Sequence, residues 1–251
     1  MRIEQIYRYP VKGLSAEALD EAVVEPGGAL PWDRAFALAQ GDAAFDPAHP
    51  AFLPKSNFMC LLRNGRIATL RARFDPHERT LTLSAPDGTA ITRNPLTESG
   101  RRVIGGWLTA FLGSEARGEP RFHHVPGHVF GDQRSPVLSL INLASLAAFE
   151  AGAGARREAM RFRGNIYFTG AAPWSEFAWV GRRLQLGHAT LRVTKRTVRC
   201  AAVEVNPATG ERDADPIREL RQLYGHADLG VHAEVLEGGR IATGDAVVLL
   251  D

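Results

Sequence analysis

Cys200 closes the run "VTKRTVRC", in which Lys195, Arg196 and Arg199 stand in the five residues before the thiol. Positive charge beside a thiol favours the thiolate, the form that attacks electrophiles and binds metals. Two readings of this stretch stand. "VRCAAVEV" alternates as a half-buried strand would, and the same residues suit a thiolate nucleophile or soft-metal ligand. The other cysteine, Cys60, lies among Phe58, Met59, Leu61 and Leu62 and reads as core. Two cysteines so far apart make neither a disulfide framework nor a zinc-site spacing.

The histidines cluster in "RFHHVPGH" (His123, His124, His128) and "YGHADLGVH" (His226, His232). Neither set has helical His-Glu-x-x-His spacing or a paired-cysteine knuckle. A cysteine hydrolase would need His226 or His232 as the base. The glycine-rich pieces "EPGG", "VIGGW" and "EGG" match no phosphate loop and read as turns.

Cations recur at other structured points. Of the 30 lysines and arginines only Lys12, Lys55 and Lys195 are lysine. A GC-rich coding bias accounts for that ratio in bulk, yet an ammonium is a point-charge phosphate binder that arginine does not duplicate. In "YPVKG", Pro10 breaks a strand, and two readings stand: a bulged strand end with a solvated Lys12, which local sequence favours, or a tight cationic turn of Lys12 and Gly13. "WDRAFAL" starts a strand with Asp33 and Arg34, which reads as a surface ion pair. "MRFRGNIYFTG" opens a strand on which alternation puts Arg161, Arg163 and Asn165 on one face. "DQRSPVLSL" places Arg134 and Ser135 before a buried strand. Lys12, Arg34, Arg134, Arg163 and Arg199 gathered round one thiol would suit a phosphorylated polyanion.

The elements that must position these groups are mostly strands at roughly 8–12-residue spacing, the pattern of a barrel or sandwich. "RIEQIYRYPV", "ALDEAVVEPGG", "RAFALAQGD", "RIATLRARFD" and "TLTLSAPDGTAI" alternate, and "DLGVHAEVLEGG" with "RIATGDAVVLL" reads as a closing strand pair. Three helices are expected. The first is "TESGRRVIGGWLTAFLG", with a stripe of Val103, Ile104, Trp107, Leu108 and Phe111 and a stop at Gly113. The second is "NLASLAAFEAG", capped by Asn142, with Leu143, Leu146 and Ala147 on one face. The third is "DPIRELRQLYG", with Asp215 as cap, Pro216 first, Ile217, Leu220 and Tyr224 as stripe, and Gly225 as stop. The fold class is therefore mainly β with some α. The polar "GSEARGEP" divides the 251 residues into domains 1–116 and 117–251. Net charge is +2, which calls for neither nucleic acid nor a lipid surface, and no apolar run reaches membrane-spanning length. A reducing cytoplasm and a monomer are the expectations.

Six segments, in order, carry a family resemblance: "YRYPVKG", "WDRAFAL", "SPVLSLINLASL", "MRFRGNI", "VRCAAVEVNPATGERD" and "DLGVHAEVLEGGRIATGDAVVLL". Nearly end to end, the chain resembles the MOSC family, named for the C-terminal domain of molybdenum cofactor sulfurases. It is similar in arrangement to the mitochondrial amidoxime-reducing component and its bacterial counterparts, with an N-terminal β-barrel domain packed on a MOSC β-barrel domain. The resemblance implies a molybdenum–molybdopterin cofactor in a cleft between the two. Cys200 would be the protein thiolate on molybdenum, or a carrier of sulfur as a persulfide. Lys12, Arg34 and Arg163 would hold the phosphate and pterin edges, and Arg134, Ser135, Asn165 and Arg199 would add hydrogen bonds. Gly13, Val198 and His232 complete the cofactor-binding set. The implied activity is reduction of small N-hydroxylated or N–O substrates, with electrons from an external ferredoxin-, flavin- or cytochrome-type reductase. The chain departs from the family in two places: "VTKRTVRC" lacks the common Cys/Ser-Arg-Cys run, and "LPKSNF" stands where relatives have a Thr-Ala-Arg-Gln-like run.

Overall fold

The computed structural model describes residues 1–250. The first part of the chain forms β1 (Arg2–Arg8), β2 (Glu17–Leu19), β3 (Glu21–Val24), β4 (Phe36–Ala39), β5 (Arg71–Asp75), β6 (Thr80–Ser84), β7 (Ala90–Arg93) and helix α1 (Glu98–Leu112). The remainder forms β8 (Arg121–His124), β9 (Leu138–Asn142), α2 (Leu143–Ala153), β10 (Ile166–Thr169), β11 (Arg183–Leu186), β12 (Ala189–Val198), α3 (Pro216–Tyr224), β13 (Asp228–Glu237), β14 (Gly239–Ala242) and β15 (Val247–Leu249). The fold is mainly β with three helices, as the alternating segments imply.

The largest sheet runs β15-β11-β12-β13-β9-β10-β1-β2. On its inner face Leu191 and Val193 of β12 and Val231, Ala233 and Val235 of β13 follow period-two alternation. Ile3 and Ile6 of β1 join the same core because the register shifts between Ile3 and Gln5. β1 and β2, from the start of the chain, thus sit at the edge of a sheet otherwise built from the last half, with β1 paired antiparallel to β10 and to β2. β9 is buried at all five residues because α2 covers its second face with Leu146 and Phe149 against Ile141. A second core gathers Phe36, Leu38, Phe74, Leu81 and Leu83 under Ile104, Leu108 and Leu112 of α1.

Helix ends follow local chemistry. Thr97 Oγ1 accepts from the Gly100 amide and Asn142 Oδ1 from Ala144. Asp215 Oδ1 accepts from Arg218, ahead of Pro216, and Gly225 stops α3 in the left-handed region at φ +74°. Four expectations are corrected. "RIAT" at 66–69 lies in a 3-10 turn rather than in a strand, and only "RARFD" pairs. Val103 is 43% exposed, so the buried stripe of α1 runs through Gly100, Ile104, Leu108 and Leu112. Ala147 is exposed, and α2 buries Ser145, Leu146 and Phe149 instead. The two closing segments do not pair with each other: β13 lies between β12 and β9, β14 pairs with β3, and β15 with β11. Among the described residues, no helix is long and apolar enough to cross a membrane.

Candidate functional site

β12 ends at Val198, and Cys200 follows in extended conformation at the head of a 3-10 turn, Ala201–Glu204. The alternation of "VRCAAVEV" is therefore cut short at the cysteine. Cys200 Sγ accepts a hydrogen bond from Lys55 Nζ at 3.1 Å. The local cations are spent elsewhere, which corrects the expectation that they act on the thiol as a group. Lys195 donates to Gln133 Oε1, and Arg196 pairs with Asp228 at 2.7 Å while lying over the Phe177 ring. Arg199 donates to the carbonyls of Leu229 and Phe162, 2.8 and 2.7 Å away. Burial pulls the Arg199 guanidinium down to about 10, against the opposing influence of Tyr167 and Cys200.

All three lysines converge on one loop. Lys12 is 6% exposed and donates to the Phe130 carbonyl at 2.9 Å and to Asp132 Oδ1 at 2.5 Å. Lys55 reaches the other Asp132 oxygen at 3.5 Å, and Lys195 takes Gln133. Burial works to raise the Asp132 carboxyl, but Lys12 and Lys55 overcome it and hold it at about 2. Burial also lowers Lys12, with Asp132 acting in the opposite direction. Gly13 makes the turn possible: its φ is +86°, and a Cβ would stand 3.0 Å from the Met59 carbonyl oxygen.

Tyr9 organises a second group. Its ring is fully buried, with the Arg34 and Arg163 guanidiniums 4.7 and 4.2 Å from its centroid. Its hydroxyl donates to Gly164 O at 3.1 Å, and its amide donates to Asp33 Oδ1 at 2.7 Å. Asp33 pairs through its other oxygen with Arg34 and is 3% exposed, so the ion pair expected at the surface is buried. Arg34 and Arg163 both have φ of +49°, a conformation that non-glycine residues hold only where the surroundings enforce it. Burial lowers Arg163; burial also works to lower Arg34, but Asp33, Tyr9 and Asp132 together raise it. Asn165 is clamped by Tyr7 O and by the Ser139 amide, both 3.1 Å away. The strand face expected for Arg161, Arg163 and Asn165 is absent, since β10 begins only at Ile166: Arg161 sits in a 3-10 turn and pairs with Glu158 and Asp213, and Arg163 caps that turn.

These groups line one cavity of about 440 Å³. Lys12, Gly13, Arg34, Arg134, Ser135, Arg163, Asn165, Val198, Arg199, Cys200 and His232 all stand in its wall. Arg134 and Ser135 occupy the exposed loop before β9, Arg134 stacking on Phe52 at 5.4 Å, and Val198 is 72% exposed at the rim. Seven cations and two carboxylates, Asp33 and Asp132, line the space. Three polar atoms in the wall, Ser139 Oγ, Thr197 Oγ1 and His232 Nδ1, are buried without a protein partner. Burial, then Arg199, Lys195 and Arg34, keep protons off His232 and bring it down to about 4. His226 lies outside this wall, in an aromatic group with Trp174 and Tyr224. Among the described residues, no histidine hydrogen-bonds Cys200, and no three His, Cys, Asp or Glu side chains gather as a metal cage. Lys55, Asp132 and Tyr9 escape sequence reasoning, although the rarity of lysine and the "LPKSNF" departure both mark Lys55.

The chain matches two family models, the MOSC N-terminal beta barrel domain over residues 1–115 and the MOSC domain over 126–248. The chain belongs to the MOSC family. A curated relative is the molybdenum cofactor sulfurase of Anopheles gambiae, 24% identical over 92% of this chain and 34% of that protein. The chain thus spans about a third of that relative's length. Among solved structures, the YUAD protein from Bacillus subtilis matches with a TM-score of 0.45 and 14% identity, covering 98% of this chain and 93% of that one. YiiM from Geobacillus stearothermophilus matches with a TM-score of 0.36 and 20% identity, over 45% of this chain and 54% of its own.

Proposed function

We propose that the cavity holds a molybdenum–molybdopterin cofactor with Cys200 as the protein sulfur ligand, and that the protein reduces small N-hydroxylated or N–O compounds. The observation that carries this reading is the meeting of an accessible thiol with seven cations and only two carboxylates around one cavity. The residues fit such a group. A thiol suits a soft metal where no protein cage exists, the excess of positive charge suits a phosphate, and three unpartnered buried polar atoms suit a heterocycle edge. The curated relative's name supports a link to the molybdenum cofactor and is silent on the reduction.

When bound, the cofactor supplies two-electron redox chemistry at the metal. In the net reaction the N–O bond breaks, nitrogen gains hydrogen and water leaves, consuming two electrons and two protons. The chain's own residues bind and orient. Lys12, Arg34 and Arg163 take the phosphate end, and Lys55 and Arg199 hold positive charge at the sulfur. Phe52, Leu53 and Phe58 form an apolar wall that limits water. The electrons come from a separate ferredoxin-, flavin- or cytochrome-type protein.

Elemental analysis of freshly purified wild type and Cys200→Ala tests the reading. Near-stoichiometric molybdenum in the wild type, much reduced in the variant, is expected. Its absence from wild type after expression with molybdate would overturn the reading. The sulfurase relative favours one second reading, a sulfur carrier whose Cys200 bears a persulfide. That form would show an adduct of about 32 Da on Cys200 without bound molybdenum.

A further inference from the structure

Ser139 Oγ, Thr197 Oγ1 and His232 Nδ1 come from three neighbouring strands, β9, β12 and β13. Ser139 stands directly opposite His232 in the β9–β13 pairing, so their side chains rise from the same face. On the other side, His232 is paired with Lys195, two residues before Thr197. Ser139 and Thr197 are only 7% and 5% exposed, so solvent does not freely satisfy either hydroxyl. Their polar neighbours are occupied: Asn165 is closed on Tyr7 and Ser139 backbone groups, and Arg199 on two carbonyls. A buried hydroxyl without a partner destabilises the empty protein, whereas a methyl in its place is neutral or better. An arrangement that costs the empty protein stability at three adjacent points is what a binding site, not a core, looks like.

We infer that Ser139, Thr197 and His232 form a recognition strip for the hydrogen-bonding edge of a planar heterocycle laid across β9, β13 and β12. This deepens the proposed function and rests on it. Both hydroxyls donate and accept, and a neutral imidazole presents either role through its tautomer. Such a strip matches an edge of alternating carbonyl and N–H groups, as in the aminopyrimidinone ring shared by pterins and guanine. Ser139 and Thr197 carry no charge, so they select the ring and leave the phosphate to the cations.

The test compares wild type with Ser139→Ala/Thr197→Val, leaving His232 intact. Pterin content after oxidative release is read by fluorescence on protein purified from molybdate-supplied cells. Thermal unfolding is read on protein from cells unable to make molybdopterin. The expected result is roughly tenfold lower pterin retention in the double variant, with an empty-protein midpoint equal to or above wild type. Equal retention, or lower retention with a lower midpoint, overturns the strip, the latter by showing a merely structural role. If the wild type holds no pterin, the proposed function fails on its own. The strip is then judged by GMP against ribose 5-phosphate binding: preference for GMP in wild type that vanishes in the variant supports it, and no preference overturns it.

Discussion

His232 makes the stability of the pocket pH-dependent in a direction that can be worked out. Burial, with Arg199, Lys195 and Arg34 behind it, brings its folded value to about 4 from 6.5, while Asp132 pulls weakly the other way. The unfolded chain therefore binds the proton more readily than the folded one. The stabilising effect of the neutral ring is whole above about pH 6.5 and is lost as pH falls towards 4. At pH 5 the unfolded ring is almost fully protonated and the folded ring about a tenth protonated. Linkage then gives a loss of roughly 2 kcal/mol between pH 7 and pH 5, or about 4–8 °C in unfolding midpoint for a chain of this size. Burial also lowers His123, His124, His128 and His226, which contribute the same sign. The readout is thus a difference: urea unfolding of wild type and His232→Asn at both pH values. The variant should lose about 2 kcal/mol less than wild type on acidification. Parallel curves for the two proteins would refute the buried neutral imidazole.

Lys55→Met should slow alkylation of Cys200 by iodoacetamide about three- to tenfold at neutral pH, because the sulfur loses its cationic donor; timed intact-mass spectra measure this, Lys55→Arg should recover part of the rate, and unchanged rates would show the contact has no effect. Asp33→Asn removes the carboxylate shared by Tyr9 and Arg34 and should cost roughly 3 kcal/mol in urea unfolding. Added inorganic phosphate should narrow that gap by replacing the missing charge, and an equal gap with and without phosphate would count against an anion site there. Gly230→Ala puts a Cβ 2.4 Å from Leu140 O at φ +78° and 3.2 Å from Arg199 Nη2. It should lower stability by about 3 kcal/mol or more, and a loss under about 1 kcal/mol would mean that β9 and β13 can separate without consequence.

Local signals in the sequence carried local structure faithfully. Asn142, Asp215 and Gly225 act at the helix ends because capping needs only atoms a few residues apart. Alternation identified which residues of β13 face inward, but it fails in β1, where the register shifts between Ile3 and Gln5, and period two says nothing about which strand lies alongside. Nothing near β3 announces β14 as its partner, and nothing near Cys200 announces Lys55, 145 residues away. The cations that adjoin Cys200 in sequence were the misleading ones, since the end of β12 turns Arg196 towards Asp228 and Arg199 towards Leu229. The left-handed backbone at Arg34 and Arg163 has no sequence mark either, because residues of that type seldom adopt it. What remained legible was composition: three lysines among thirty cations, all of which hold the Phe130–Gln133 loop.

Net charge concealed the site for a related reason. The chain as a whole is +2, yet the cavity wall holds seven cations and two carboxylates, an excess of five, which leaves the rest of the molecule at net −3. Those cations are not idle donors waiting for a ligand. Lys12 is bonded to Phe130 and Asp132, Arg199 to Leu229 and Phe162, and Arg163 to Leu14 O at 2.8 Å. Carbonyl oxygens orient Arg163 and Arg199 without neutralising them, whereas Lys12, Lys55, Arg34 and Arg161 are fixed by carboxylates. An anion entering the cavity therefore meets a fixed field and need not reorder long side chains, which keeps the entropic cost of binding low. The same fixation leaves the cations poorly able to discriminate one phosphate compound from another, because few of their donors are free to follow its shape. Discrimination then falls to groups that are neutral, buried and unpartnered, and the wall offers Ser139, Thr197 and His232. Attraction and selection are thus carried by different residues, so substitutions in one set should leave the other's contribution standing.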